Sequence, residues 1–410
     1  MKRLEHRRLF RGMAAGSKAA EVFFAFLKLG LTSFGGPIAH FGYFRAEFVA
    51  RRGWLSEATY ADILALCQSL PGPASSQAGI TLGLMRAGLF GALAALAGFT
   101  LPSALALILF ARIAGMLWQP EQSAWLHGLK IVAVAVVAQA IIGMARNLCP
   151  DRPRIALAAG AAVFALAVPF AYGQIAIIAL GGFVGWRLLP AAAPRAGGSP
   201  FGVSFGRGLS AAVLAAFVAV AVGLPLVRAA TANHAIALAD SFFRSGALVF
   251  GGGHVVLPLL QKEVVPQGWI GNDLFLAGYA AAQAVPGPLL SFAAYLGAVM
   301  PFAPNGLLGG LLCLAAIYLP SFLLLIGILP FWEELRQRPA VRSALDGANA
   351  AVVGLLLAAF YSPVWTNAIF SPSDFAIAFC AFALLVFWRA PPWVVVALGA
   401  IATAAIARLA

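Results

Sequence analysis

The sequence predicts an all-α polytopic membrane protein of about 13 transmembrane helices, in two inverted repeats whose helices are broken at Pro-Gly-Pro segments. Three observations lead there. Hydrophobic residues make up 62% of the 410 positions and charged residues only 10%, against roughly 25% charged in a soluble domain. The basic residues stand in short clusters between long apolar runs. Four ordered sequence blocks recur in the second half of the chain at a nearly constant offset. The first of these excludes a soluble, disordered or disulfide-scaffold chain. The second excludes a nucleic-acid binder in spite of the net charge of +13, because no basic stripe or patch forms.

A bilayer-spanning helix needs about 20 mostly apolar residues. In chain order the candidate spans lie near 20–35, 58–85, 88–117, 127–145, 154–170 and 172–189, then 206–227. They continue near 236–251, 272–299, 305–330, 346–361, 374–388 and 391–407. The second and ninth each contain a Pro-Gly-Pro, so each reads as two short helices or one kinked one. Residues 1–18 form a basic cytoplasmic N-terminus, with Lys2, Arg3, Arg7, Arg8, Arg11 and Lys18. The first apolar run is interrupted by Lys28 and followed by further spans, so no cleaved leader is expected. The positive-inside rule then assigns Arg86, Arg146, Arg152, Arg154, Arg187, Arg195, Arg207, Lys262, Arg336, Arg338, Arg342 and Arg389 to the cytoplasmic side. This gives a cytoplasmic N-terminus and a periplasmic C-terminus. Arg45, Arg51 and Arg52 fall on the wrong side, unless their segment folds back into the protein.

The duplication is explicit. The segment 26–36, ending Phe34-Gly35-Gly36, matches 242–252, ending Phe250-Gly251-Gly252, and Gly53-Trp54 matches Gly268-Trp269. Gln68-Ser69-Leu70-Pro71-Gly72-Pro73 matches Gln283-Ala284-Val285-Pro286-Gly287-Pro288, and Leu101-Pro102-Ser103 matches Leu319-Pro320-Ser321. The offset drifts only from 215 to 218. Residues 19–189 form the first membrane repeat, 190–230 a linker plus an inverting helix, and 231–410 the second repeat. The single helix near 206–227 turns the second repeat over. Inverted repeats with broken helices meeting at the midplane are a recurring plan of secondary transporters.

Candidate site residues follow from the breaks. Proline after Pro-Gly suits the first turn of a new helix, so Pro73 and Pro288 start helices inside the protein with free N–H groups. Ser75 and Ser76 follow the first and Ser291 the second. Such helix starts carry partial positive charge and suit an oxyanion; a kink for close packing is the structural alternative. The substrate-binding candidates are therefore Gln68, Pro71, Gly72, Pro73, Ser75, Ser76, Gln283, Pro286, Gly287, Pro288 and Ser291. To these are added Gly35, Gly36, Gly251 and Gly252, where the first helix of each repeat ends or unwinds. Lys28 and Arg244 are matched cations inside apolar helices; intramembrane charges face a cavity or a partner, so an anion contact and a structural pair both stay open. His40, Glu47 and Asp62 are the candidates for moving protons, with Glu47 also placed to neutralise Arg45, Arg51 or Arg52. No catalytic triad, HExxH or nucleotide-binding loop occurs, so no enzyme activity, metal or cofactor is expected.

These blocks resemble the chromate ion transporter family, through Phe-Gly-Gly-Pro-Ile-Ala-His at 34–40, Gly-Trp at 53–54, Gln-Ser-Leu-Pro-Gly-Pro-Ala at 68–74 and their C-terminal counterparts. The resemblance covers the chain from about residue 19, in the two-repeat form of the family. It implies a bacterial inner-membrane protein that exports chromate and confers resistance to it. Gly253 and His254 stand where the first copy has Pro37 and Ile38, so the two Gly-Gly elements are not equivalent. The partners this reading allows are chromate, sulfate of the same shape and charge, the lipid bilayer and a second copy of the chain. A sulfate or small organic anion uptake carrier, a passive anion channel and an enzyme on lipid phosphates are the alternatives. The scarcity of intramembrane carboxylates favours export: a divalent anion leaving a negative-inside cell gains about 4.6 kcal/mol per 100 mV.

Overall fold

The computed structural model describes residues 2–117, 124–168, 173–190, 205–250 and 252–409, and all regular structure among them is helical. The first repeat comprises α1 (Lys2–Thr32), α2 (Gly36–Phe44), α3 (Glu57–Ser69), α4 (Ala74–Leu117), α5 (Ala124–Leu148), α6 (Arg152–Ala167) and α7 (Gly173–Leu188). The next helix, α8 (Arg207–Ala230), is followed by α9 (His234–Ala247), α10 (Val256–Val264), α11 (Asn272–Ala284), α12 (Phe292–Val299) and α13 (Gly306–Ile328). The chain closes with α14 (Trp332–Gln337), α15 (Pro339–Ala359), α16 (Pro372–Val386) and α17 (Pro392–Leu409). Local chemistry sets many starts: Ser56, Asp151, Asn233 and Ser371 cap α3, α6, α9 and α16 through their side chains. α4 is two legs, divided at Ala87 and Gly88, whose backbone leaves helical geometry.

The first hairpins do not cross a bilayer; they enter halfway and return. Glu21, near the start of the apolar part of α1, pairs with both Arg52 and Arg86, and both guanidinium groups lie over the Trp54 ring. From Glu21 to Thr32 the helix rises only about 17 Å. The chain therefore goes in along α1, turns at 33–35 and comes back along α2 and its π-helical continuation Arg45–Arg51. It goes in again along α3, turns at Pro71–Pro73 and returns along the first leg of α4 to Arg86. The second repeat does the same from the opposite face, where Arg228 pairs with Asp240 and Glu263 and lies over Trp269. The candidate spans near 58–85 and 272–299 are thus each two short helices, as their Pro-Gly-Pro breaks suggested, and form whole re-entrant hairpins; those near 20–35 and 236–251 are single half-length legs. Composition could not show this, because a half-length leg buried in protein is as apolar as a full span. The parity of crossings is unchanged, since each hairpin replaces one predicted crossing in an even set. Arg45, Arg51 and Arg52 join the face of α1's basic end, and Lys262 moves to the opposite one.

Reciprocal packing ties the repeats together. α5 lies against α16 and α17, while its counterpart α15 lies against α6 and α7. A Cβ on Gly128 of α5 would stand 2.6 Å from the Gly399 carbonyl of α17, and Gly347 of α15 meets Gly181 of α7 in the same way. Contact of i with j′ and of j with i′ marks a pseudo-two-fold relation. Backbones can come this close only where no side chain intervenes. α8 lies at the periphery, with Leu209, Val218, Val222 and Leu226 exposed, a lipid-facing surface. Of the four cysteines, Cys67, Cys149 and Cys313 are buried and Cys380 is exposed.

Candidate functional site

The four hairpin turns meet at the centre and hydrogen-bond across the repeats. The Gly72 N–H donates to the Val249 carbonyl at 2.6 Å, and the Gly287 N–H donates to the Ser33 carbonyl at 2.9 Å. Each Pro-Gly-Pro thus closes on the unwound end of the other repeat's first helix. Both glycines are required: Gly72 has φ +130° and Gly287 φ +104°, a region L-residues rarely enter. The other repeat's Leu-Pro-Ser faces each one. A Cβ on Gly72 would lie 2.6 Å from Ser321 Oγ, and one on Gly287 would lie 2.9 Å from Ser103 Oγ.

Helix starts surround this centre. α2 begins at Gly36 behind Gly35 (φ +101°) with Pro37 in its first turn, and α4 begins at Ala74, directly after Pro73. α10 and α12 begin through single 3-10 turns, Gly253–Val255 and Leu289–Ser291. The positive ends of four helix dipoles therefore point inward. The turn segments 33–37, 70–77, 249–254 and 285–291 contain no Lys, Arg, Asp or Glu. Neutral donors fill them instead. Ser75 and Ser76 are buried, with Ser75 Oγ 3.3 Å from His40 Nδ1 and Ser76 Oγ 3.5 Å from the Tyr318 hydroxyl. Ser291 Oγ is 2.6 Å from Ser103 Oγ. His254 Nδ1 meets the Tyr279 hydroxyl at 2.9 Å and Gln283 Nε2 at 3.5 Å. Four buried polar atoms here, Ser33 Oγ, His40 Nε2, Gln77 Oε1 and Ser321 Oγ, have no hydrogen-bond partner in the protein. Buried polar groups are otherwise almost always paired, so these are the atoms equipped to meet a polar solute.

Pro71, Gly72, Pro73, Ser75, Ser76, Gly35, Gly36, Gly252, Pro286, Gly287, Pro288 and Ser291 thus converge on one locus; Gly251 lies outside the described residues. Lys28 and Arg244 stand about a turn back from it, each tied to the matching carboxylate of its own repeat. Lys28 Nζ is 3.4 Å from Glu47, and Arg244 makes contacts of 2.7–3.0 Å with Glu263 and Asp240. Glu47 also holds Arg51 and Arg52 at 2.6 and 2.7 Å. These ion pairs staple the two legs of each first hairpin. Ser103, Ser321, Tyr318 and Tyr279 were not singled out from the sequence. The first two were legible in principle, since the repeated Leu-Pro-Ser block carries them; the tyrosines reach the centre only through folding.

A cavity of about 350 Å³ lies beside α3 on the face of α1's basic end. Asp62, Gln68 and Ser69 of α3, Asn147 at the end of α5, and Arg342, Asp346 and Asn349 of α15 line it. The matching region of the other repeat is closed. There α11 packs along α5, Lys130 Nζ sits 2.8 Å from Asp273 and lies over the Phe370 ring, and His127 meets Asp374 at 3.0 Å. Lys130 corresponds to Asn349, a neutral side chain, so the Lys130–Asp273 pair is not repeated at the equivalent position. Among the described residues no group of three or more His, Cys, Asp or Glu converges as a metal site would.

Comparison with known proteins agrees with this two-fold plan. The family model described as chromate transporter matches residues 20–186 and again 236–404. The chain is 28% identical over 353 residues to the chromate transport protein of Pseudomonas aeruginosa, covering 82% of this chain and 79% of that protein. It is 26% identical to a probable chromate transport protein of Synechococcus elongatus, over 82% of this chain and 81% of that one. It is also 26% identical to the chromate transport protein of Cupriavidus metallidurans, over 82% and 80%. No solved structure matches the chain.

Proposed function

The chain belongs to the chromate transporter family, and on that premise we propose that it is a secondary transporter exporting chromate by alternating access. The observation carrying this is the central locus: inward-pointing helix starts and neutral hydroxyls, joined across two repeats, with a cavity beside α3 on one face. Helix N-termini and neutral donors stabilise a tetrahedral dianion without a fixed cation. The inward-facing cavity beside α3 and the closed contact of α11 on α5 are one of two related states; exchanging the roles of the repeats gives the other. The Lys130–Asp273 pair is the closure on the far face.

Orientation follows from charge. Once the hairpins are folded back, only Arg112, Lys130, Arg228, Arg244, Lys262 and Arg408 of the 27 Lys/Arg belong to the far face, and Arg195 lies outside the described residues. By the positive-inside rule the N-terminus and the open cavity face the cytoplasm and the C-terminus faces the periplasm, in a bacterial inner membrane. Export of a dianion then runs with the potential, which is how the protein would confer resistance. Sulfate, equal in shape and charge, competes at the same locus.

The test is anion flux in proteoliposomes under a set membrane potential. Saturable, potential-driven chromate movement, inhibited by sulfate, is expected. Flux that rises linearly with concentration would indicate a channel, and flux of sulfate alone would overturn the substrate.

A further inference from the structure

Four buried hydroxyls at the centre form two equivalent cross-repeat pairs that are in opposite states. Ser103 corresponds to Ser321 and Ser291 to Ser76 by the repeat offsets. Ser103 and Ser291 are joined at 2.6 Å, and Ser103 Oγ also reaches the Thr100 carbonyl at 3.0 Å. Ser76 and Ser321 make no such bond: Ser321 Oγ, fully buried, has no partner in the protein, and Ser76 reaches only Tyr318 at 3.5 Å. The asymmetry matches that at the entrances. Ser291 belongs to the hairpin α11–α12, which is closed on α5. Ser76 belongs to the hairpin of α3 and the first leg of α4, which borders the cavity.

We propose that these are two substrate-contacting hydroxyl pairs used alternately, the parted pair binding a fully ionised tetrahedral oxyanion while the joined pair seals the path to the other face. This rests on the central-site reading above. Such an anion only accepts hydrogen bonds, so it calls for hydroxyl protons that are not already committed. In the parted pair the Ser321 proton is free to be donated to it and the Ser76 proton is held only by the 3.5 Å contact with Tyr318; in the joined pair one hydroxyl spends its proton on the other. When the protein opens to the far face, Ser76 and Ser321 join and Ser103 and Ser291 part, so the anion meets the same chemistry from each side.

The experiment measures half-saturation for sulfate in sealed vesicles, with the anion offered at one face at a time, for wild type, Ser321→Ala, Ser103→Ala and, as a buried-hydroxyl control outside the quartet, Ser245→Ala. Losing one hydrogen bond to a charged ligand weakens binding by about tenfold. Ser321→Ala should show that loss at the face of α1's basic end and Ser103→Ala at the far face, with Ser245→Ala near wild type. Equal changes at both faces, or none, would overturn the proposal. A second readout needs no transport. In a Cys380→Ser background without anion, oxidation should cross-link Ser103→Cys/Ser291→Cys much faster than Ser76→Cys/Ser321→Cys. Equal rates would overturn the alternation. If wild type moves neither sulfate nor chromate, the transport reading fails instead, and the cross-linking pattern tells the two failures apart.

Discussion

Replacing Gly72 by alanine tests the central turn most directly, because two independent penalties meet there. At φ +130° an alanine sits in a region open essentially to glycine alone, at a cost of about 1–3 kcal/mol. Its Cβ would also lie 2.6 Å from Ser321 Oγ and collide with the Gln77 amide, which adds about 1–3 kcal/mol of overpacking. The variant should therefore lose about 2–6 kcal/mol and displace the N–H that holds Val249. Gly53 provides the comparison: its φ is +59° and nothing lies within 4 Å of a Cβ there, so Gly53→Ala carries only the left-handed strain of about 1–2 kcal/mol. Thermal unfolding in detergent should rank wild type above Gly53→Ala and Gly53→Ala well above Gly72→Ala. Chromate flux should survive the first substitution and fail in the second. Adding Ser321→Gly to Gly72→Ala should recover part of the stability. A Gly72→Ala protein as stable and as active as Gly53→Ala would refute the close crossing of the repeats at this point.

Other expectations concern the closures and staples. Asp273 is half-exposed, so its pair with Lys130 is worth about 1 kcal/mol; Asp273→Asn should shift the balance about fivefold towards the state open at the far face. Slower thiol labelling of an Asn349→Cys reporter in the cavity would register this, and unchanged labelling would count against the latch. Arg244→Met takes two hydrogen bonds from Asp240, whose side chain is 2% exposed, leaving it to Arg228 alone, and should cost about 2 kcal/mol. Lys28→Met should cost less than about 1 kcal/mol, because Lys28 is half-exposed and Glu47 keeps Arg51 and Arg52; melting temperatures in the reverse order would contradict the staple assignment. Gly347→Leu drives a side chain into the backbone of α7 and should abolish the folded, monodisperse protein on gel filtration. Gly143→Leu, with nothing within 4 Å, should not.

The membrane class, the duplication and the positions of the breaks were legible because each rests on composition or on local backbone chemistry. Gly-Gly, Pro-Gly-Pro and capping residues act within a few positions of themselves. Lys28 and Arg244 show the limit of that reading. Sequence marked them as matched cations needing a partner, but Glu47 and Glu263, each 19 residues away, become that partner only when the first hairpin folds back. The misplaced trio Arg45, Arg51 and Arg52 was the one sequence signal of that fold, visible as a breach of the charge rule.

What the sequence by itself determined is that this chain lives in a bilayer, is built twice, and breaks its helices at matched points. Only the tertiary structure decided that two of the apolar runs are single half-length legs, that each Pro-Gly-Pro bonds to the other repeat, and that one serine pair is joined while its twin is apart. The physical reason is that hydrophobicity reports the solvent a segment avoids, not the depth to which it runs. Pairing across a pseudo-two-fold axis arises between residues far apart in the chain, such as Ser103 and Ser291, and no local pattern encodes it.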